Sequence, residues 1–158
     1  MIEISTSVLN LSEEDYVHSF YNLEVAKTDY FHIDVMDGKF VKNDTSKRMK
    51  EYAMAISHIS ELGLDVHLMV ENVEEYIDDY IELEPRIISF HIEAIKEKQR
   101  ILDIIKDLKR NNIRVRDSYK SRNSYRFYKR IFTINSYGFS YERCSRRRWT
   151  GFYTRECR

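Results

Sequence analysis

Two short motifs carry side chains that could bind a metal ion. H-I-D occupies residues 32–34, and D-V-H occupies residues 65–67, about thirty positions later. Residues i and i+2 of a β-strand point to the same face, so His32 and Asp34 would share one side of a strand. If the second motif lies in the neighbouring strand, His67 joins them, and two imidazoles with a carboxylate suit a divalent metal. The other interpretation of a lone H-x-D motif is a pair of half-buried polar residues.

The pattern of apolar residues predicts the elements that must position these side chains. The predicted strands are residues 2–9, 30–36, 64–70, 87–92 and the beginning of a fifth at 113–115. Apolar residues spaced three or four apart predict amphipathic helices between the strands. The first helix is predicted to open at Ser12, with Asp15 three residues later in a capping box.

Strands that alternate with helices at this spacing predict right-handed βαβ units and a parallel sheet. Residues 1–115 contain four such units and the start of a fifth strand, whereas a complete (β/α)8 barrel takes about 250 residues. We therefore predict an α/β fold, the N-terminal half of a (β/α)8 TIM barrel. Barrel enzymes place their sites at the C-terminal ends of strands, and His32, Asp34 and His67 lie in strands near the loops that follow.

Length and composition predict a globular protein. The chain has 158 residues, of which 42% are hydrophobic and 13% aromatic. No apolar run of about 18 residues exists, so we predict no membrane span and no membrane partner. The first residues lack the pattern of a signal peptide, so we expect a cytoplasmic location. Cys144 and Cys157 indicate neither a disulfide framework nor a metal site.

The formal net charge of zero hides a division of the chain. Residues 1–115 contain 14 Lys and Arg against 23 Asp and Glu, a net charge of −9, whereas residues 116–158 contain 12 against 3, a net charge of +9. The second segment also lacks Leu, Val, Ala, Met and Pro. We therefore separate a barrel segment, residues 1–115, from a basic aromatic tail, residues 116–158. The tail has little apolar surface to bury and is expected to be poorly ordered.

Four motifs of the barrel segment resemble a known family. They are S-T-S-V-L at 5–9, F-H-I-D-V-M-D-G-K-F-V at 31–41, L-D-V-H-L-M-V-E-N at 64–72 and S-F-H-I-E-A at 89–94. In content, order and spacing they resemble the ribulose-phosphate 3-epimerases. Thr6, Lys42 and Val73 stand where that family usually has proline. None of these departures removes a reactive group.

The resemblance implies a metal-dependent isomerase that interconverts D-ribulose 5-phosphate and D-xylulose 5-phosphate. Such an enzyme moves the C3 proton through an enediolate and needs one acid/base group on each face of that intermediate. By resemblance, Asp34 is one of these two groups and also a metal ligand, with His32 and His67 as further ligands. The implied cofactor is one divalent ion, Zn, Fe(II), Mn or Co.

The resemblance also implies contacts with a small-molecule sugar phosphate. Ser7, His32 and His67 would contact the substrate, and Met36 and Met69 would line the enediolate pocket. Without the resemblance, both methionines are interpreted equally well as ordinary core residues. For the intact family member, the resemblance further implies a homo-oligomer.

Other functions fit parts of the sequence. An allulose-6-phosphate 3-epimerase would use the same chemistry, because later loops largely select sugar length. Related barrels with decarboxylase or aldol chemistry use a D-x-K-x-x-D strand, and Met36 stands where the lysine belongs, which argues against them. The tail interleaves aromatic residues with Arg and Lys, as surfaces for single-stranded nucleic acid do. We disfavour a nucleic-acid partner, because a shifted reading frame explains the tail better.

The family pattern should continue with a G-I-A-x-N-P-x-T-P strand, which the residues as written lack. Codons for residues 116–125, read from the second base, can give G-I-A-I-N-P-E-T-P-I. The same displacement gives L-V-M-S-V from residues 139–143 and G-G-G-G-Q from residues 146–150. We hypothesise a one-base insertion or two-base deletion near codon 115. The tail would then be a shifted and truncated continuation, and the 158-residue chain an inactive form.

Overall fold

The structure, a computed structural model, describes residues 2–118. Within this range a parallel sheet has five strands in the sequential order β1-β2-β3-β4-β5. The strands are β1 Ser5–Ser7, β2 Tyr30–Met36, β3 Gly63–Met69, β4 Ile87–His91 and β5 Arg114–Ser118. The helices are α1 Tyr16–Val25, α2 Ser46–Ile59, α3 Val73–Ile81 and α4 Lys98–Arg110, with a short 3-10 helix, Ile92–Ala94, after β4.

The two faces of the sheet differ in character. Consecutive parallel strands joined by right-handed crossovers place every connecting helix on the same face. Phe31, Ile33 and Val35 of β2 are fully buried and belong to one core cluster with helix residues. His32 and Asp34 alternate with them and therefore point to the opposite face. The alternation of apolar and polar residues thus gives the sheet one face packed against the helices and one face with polar side chains that could bind a metal or a substrate.

The polar face is concave. Asp65 Oδ2 accepts hydrogen bonds from Ser5 Oγ at 2.8 Å and from Arg116 Nη1 at 3.2 Å. These residues belong to β3, β1 and β5, which are not neighbours in the sheet. Barrel interiors are filled by layers of side chains from alternate strands, and this group is such a layer. The predicted N-terminal half of a (β/α)8 barrel is confirmed.

Several element boundaries differ from the prediction. Helix α1 begins at Tyr16, and the prediction of a helix opening at Ser12 is wrong. Ser12 Oγ instead accepts the N–H of Glu14 at 3.3 Å, a local turn that competes with helix formation. Strand β1 is shorter than predicted, because its pairing with β2 covers Ser5–Ser7 alone. Strand β5 continues past residue 115 to Ser118.

Residues 119–158 lie outside the described residues, and with them the prediction that the tail is poorly ordered. The motifs recovered from residues 139–143 and 146–150 also lie outside that range. Among residues 2–118, no helix combines the length and the apolar character that crossing a membrane requires.

Candidate metal centre

The register between β2 and β3 brings the two motifs together. Asp34 lies directly opposite His67, and His32 lies directly opposite Asp65. Both pairs belong to the concave face, because residues two apart on a strand point to the same side. Imidazole and carboxylate therefore alternate along each strand and across the strand pair.

Three of these four side chains could hold one metal ion. Asp34 Oδ1 lies 3.2 Å from His32 Nε2 and 3.4 Å from His67 Nδ1. One potential ligand atom from each residue lies within 4.8 Å of the other two. Metal–ligand bonds of about 2.0–2.2 Å leave neighbouring ligand atoms about 3–3.5 Å apart. The separations from Asp34 match that spacing, so the residues fit a divalent ion.

The group remains open to the concave face. The side chains of His32 and His67 are 24% and 22% exposed, and that of Asp34 is 13% exposed. A structural metal site is closed by protein ligands, whereas a catalytic site keeps a position for water or substrate. The partial exposure of all three side chains agrees with the second kind of site.

Two carboxylates dominate the electrostatics around His32. Burial favours the neutral imidazole, but the hydrogen bonds and charges of Asp34 and Asp65 outweigh burial and raise the pKa of His32 to about 10. Burial also acts to raise the pKa of Asp34, yet hydrogen bonds from His32 and His67 hold it far below its ordinary value. Asp34 is therefore ionised at neutral pH, and a proton on His32 compensates its charge. A bound divalent cation would offer the same compensation.

Comparison with known proteins identifies the family. The ribulose-phosphate 3 epimerase family model matches residues 3–125. The chain belongs to this family. The resemblance seen in the sequence is therefore confirmed.

Individual epimerases are also similar to the chain over part of its length. The ribulose-phosphate 3-epimerase of Methanocaldococcus jannaschii is 37% identical over 108 residues, which are 68% of this chain and 44% of that protein. The Helicobacter pylori strain 26695 enzyme is 38% identical over 100 residues, 63% of this chain and 45% of that protein. The Aquifex aeolicus enzyme is 42% identical over 83 residues, 51% of this chain and 35% of that protein. The chain spans less than half the length of these relatives.

The remaining residues implied by the epimerase resemblance lie close to the candidate ligands. Ser7 Oγ donates a hydrogen bond to Asp34 Oδ2 at 2.8 Å. Met36 and Met69 lie directly opposite each other at the ends of β2 and β3, and both are half-buried. They follow the Asp34–His67 pair by two positions and share its face. Their predicted contacts with substrate stay predictions.

Two further residues contact the candidate ligands, and the sequence predicted neither as a metal ligand or a substrate contact. Asp65 Oδ2 lies 3.2 Å from His32 Nδ1. His91 Nε2 lies 3.2 Å from His67 Nε2, and the two rings stack with their centroids 5.3 Å apart. The sequence did carry a signal for Asp65, because D-x-H in the second motif mirrors H-x-D in the first. For His91 the signal was H-x-E at residues 91–93, which we interpreted as a pair of supporting polar residues, and its contact with His67 depends on how β4 pairs with β3.

Proposed function

We propose that the protein is a metal-dependent ribulose-phosphate 3-epimerase, which interconverts D-ribulose 5-phosphate and D-xylulose 5-phosphate. The observation that carries this proposal is the meeting of Asp34, His32 and His67 at one point of the concave face. It is supported by the names of the relatives, which are ribulose-phosphate 3-epimerases. We place the reaction in the pentose phosphate pathway of the cytoplasm.

Asp34 is the proposed acid/base group for one face of the substrate. The C3 proton of a 2-ketose is acidic because its loss gives an enediolate, in which the C2 oxygen shares the negative charge. The ionised carboxylate of Asp34 accepts this proton, and it returns one to C3 in the reverse direction. Inversion needs a second acid/base group on the other face, and the family resemblance assigns that group to a later strand.

The neighbours of Asp34 hold it for this task. Ser7 donates to Oδ2 at 2.8 Å, while His32 and His67 face Oδ1 at 3.2 and 3.4 Å. We propose that these two histidines and Asp34 hold one divalent ion, Zn, Fe(II), Mn or Co. When bound, such an ion supplies Lewis-acid stabilisation for the negative charge of the enediolate. Met36 and Met69 offer an apolar rim that limits access of water to the reacting carbon.

We further propose that the reading frame is displaced near codon 115. The activity is then testable in a frame-restored protein, in which the codons after 115 are read from the second base. This protein is expected to convert ribulose 5-phosphate to xylulose 5-phosphate, followed in a coupled assay. A parallel assay with D-allulose 6-phosphate separates the pentulose from the hexulose epimerase. No turnover of either sugar would reject the epimerase proposal.

Asp34→Asn in the frame-restored protein tests the catalytic role. The amide cannot accept the C3 proton, so we expect kcat to fall by at least about a hundredfold, the scale of general acid–base catalysis. The fold should persist by circular dichroism. Asp78→Asn makes the same chemical change at an exposed position of α3 and should leave kcat unaltered. Activity of Asp34→Asn within tenfold of wild type would reject Asp34 as the base.

A further inference from the structure

Asp65 is the most deeply buried carboxylate of the concave face. Its exposed fraction is 0%, and burial of a carboxylate is costly unless its charge and hydrogen-bonding capacity are used. Oδ2 receives Ser5 Oγ at 2.8 Å, His32 Nδ1 at 3.2 Å and Arg116 Nη1 at 3.2 Å. Among the described residues, Oδ1 has no hydrogen-bond partner. The hydroxyl of Ser5, the imidazole of His32 and the guanidinium of Arg116 therefore all lie against one oxygen of this carboxylate, Oδ2.

His32 is held between two carboxylates, one at each ring nitrogen. Nδ1 lies 3.2 Å from Asp65 Oδ2, and Nε2 lies 3.2 Å from Asp34 Oδ1. A neutral imidazole carries one proton, so one nitrogen donates while the other offers a lone pair. Metal-binding histidines usually donate the N–H that does not face the metal to a carboxylate or carbonyl, which fixes the tautomer and the ring orientation.

We propose that Asp65 is a positioning residue for the metal centre, accepting the Nδ1–H of His32 so that Nε2 presents its lone pair to the ion. The inference rests on the proposed metal site and extends it beyond the three ligands. Asp65 does not reach the ion's position itself, because it lies on the far side of the His32 ring from Asp34. It acts through His32, and the Ser5 hydroxyl holds it in place.

The contact with Arg116 offers a competing role for Asp65, that of a buried ion-pair partner for β5. The two roles differ in what a substitution changes. If Asp65 only pairs with Arg116, its substitution would lower the stability of the fold and would not change the tautomer of His32. Substitution of a positioning residue would change metal affinity through His32, and it would have no further effect on that affinity in a variant that lacks His32.

The test measures the zinc affinity of the 158-residue chain by competition with a chromophoric chelator. Asp65→Asn is expected to weaken zinc binding about 10- to 100-fold, the usual effect of removing a ligand's hydrogen-bond partner. Asp78→Asn, the same change on the exposed face of α3, should stay within twofold of wild type. Circular dichroism of both variants checks that the fold is retained. Unchanged affinity in Asp65→Asn would overturn the proposal.

A double-mutant cycle separates positioning from structural support. In a His32→Ala background, Asp65→Asn should change zinc affinity by less than twofold, because the residue through which Asp65 acts is absent. A full Asp65 effect in that background would overturn the proposal in favour of a structural role.

A third measurement needs no variant of Asp65. In the zinc-loaded wild-type chain labelled with ¹⁵N-histidine, long-range proton–nitrogen correlations should show the proton of His32 on Nδ1. A proton on Nε2 overturns the proposal even if Asp65→Asn fails to fold. If wild type binds no zinc, the metal site and the role of Asp65 are both rejected. If wild type binds zinc and the Asp65 results fail, the role of Asp65 alone is rejected.

Discussion

Asp34 uses both of its carboxylate oxygens. Oδ1 faces the nitrogens of His32 and His67, while Oδ2 accepts the hydrogen bond of Ser7. The carboxylate is thereby fixed from β1, from its own strand and from β3. Such fixation keeps the group in one orientation, which would remove a reorganisation cost from the proton transfer that we propose for Asp34. Substitution of any one of these neighbours should therefore alter the orientation of the Asp34 carboxylate more than it alters the fold.

His67→Ala tests the ligand set. Loss of one imidazole should lower zinc affinity of the 158-residue chain by more than the 10- to 100-fold that loss of a ligand's hydrogen-bond partner costs. Elemental analysis after dialysis against a fixed zinc concentration measures the occupancy. The matched control is His18→Ala, which removes an exposed histidine of α1. Full occupancy in His67→Ala would take His67 out of the ligand set.

The loops after β2 and β3 are joined by one carboxylate. Asp37 Oδ1 accepts the N–H groups of Lys39 and Phe40 at 2.9 and 2.8 Å, and Oδ2 accepts the N–H of Glu71 at 2.7 Å. Gly38 follows with a φ of +72°, a conformation that residues with a Cβ rarely adopt. This turn begins where the strand that bears Asp34 ends, so the loop geometry fixes the rim of the site.

Asp37→Ala in the frame-restored protein should reduce the free energy of unfolding by about 1–2 kcal/mol at pH 7. This is less than a fully buried charged acceptor would contribute, because solvent screens the partly exposed carboxylate. Burial acts to raise the pKa of Asp37, but hydrogen bonds from Glu71, Phe40 and Lys39 outweigh it and lower the pKa. The contribution is therefore present above the unfolded-state pKa, about 4, and is lost as the pH falls through the folded-state value.

Urea denaturation at pH 7 and at low pH measures this difference. The gap between wild type and Asp37→Ala should narrow as the pH is lowered. Asp78→Ala, at an exposed position without these hydrogen bonds, serves as the control. A gap of the same size at both pH values would show that the carboxylate charge contributes nothing to the loop.

The half-barrel as a whole holds the candidate centre without help from later strands. The three ligands come from β2 and β3, and the residues around them come from β1, β4 and β5. Arg114 of β5 also reaches Glu3 at 2.9 Å and contacts Tyr30, which closes the sheet's curvature at the opposite end of the strands. By resemblance, the second acid/base group and the phosphate-binding glycines belong to later strands.

Metal binding and turnover should therefore separate in the two forms of the protein. The 158-residue chain should bind zinc but leave ribulose 5-phosphate unchanged, whereas the frame-restored protein should do both. Calorimetry with zinc and the coupled epimerase assay provide the two measurements. Resequencing the DNA around codon 115 tests the cause. Turnover by the 158-residue chain, or an uninterrupted frame through residues 116–158, would contradict the frame displacement.

The order of the elements and the polar residues of the candidate site were predictable from the amino-acid sequence. Alternating apolar and polar residues assigned His32 and Asp34 to one face, because side-chain direction along a strand follows from local geometry. The sequence analysis required β2 and β3 to be neighbours, and the structure confirms that they pair. The element boundaries differ more from the prediction, as the start of α1 shows, since Ser12 can close a turn as readily as it can cap a helix.

The register of β2 against β3 is known from the folded structure alone. A slip of one residue would turn one strand's whole polar set to the other face, and spacing along the chain does not fix the pairing. The observed register sets Asp34 against His67 and His32 against Asp65. The curvature of the sheet then brings Ser5 of β1 and Arg116 of β5 to Asp65, although neither strand pairs with β3. Contacts between distant strands depend on how the whole sheet closes, and no local pattern encodes them.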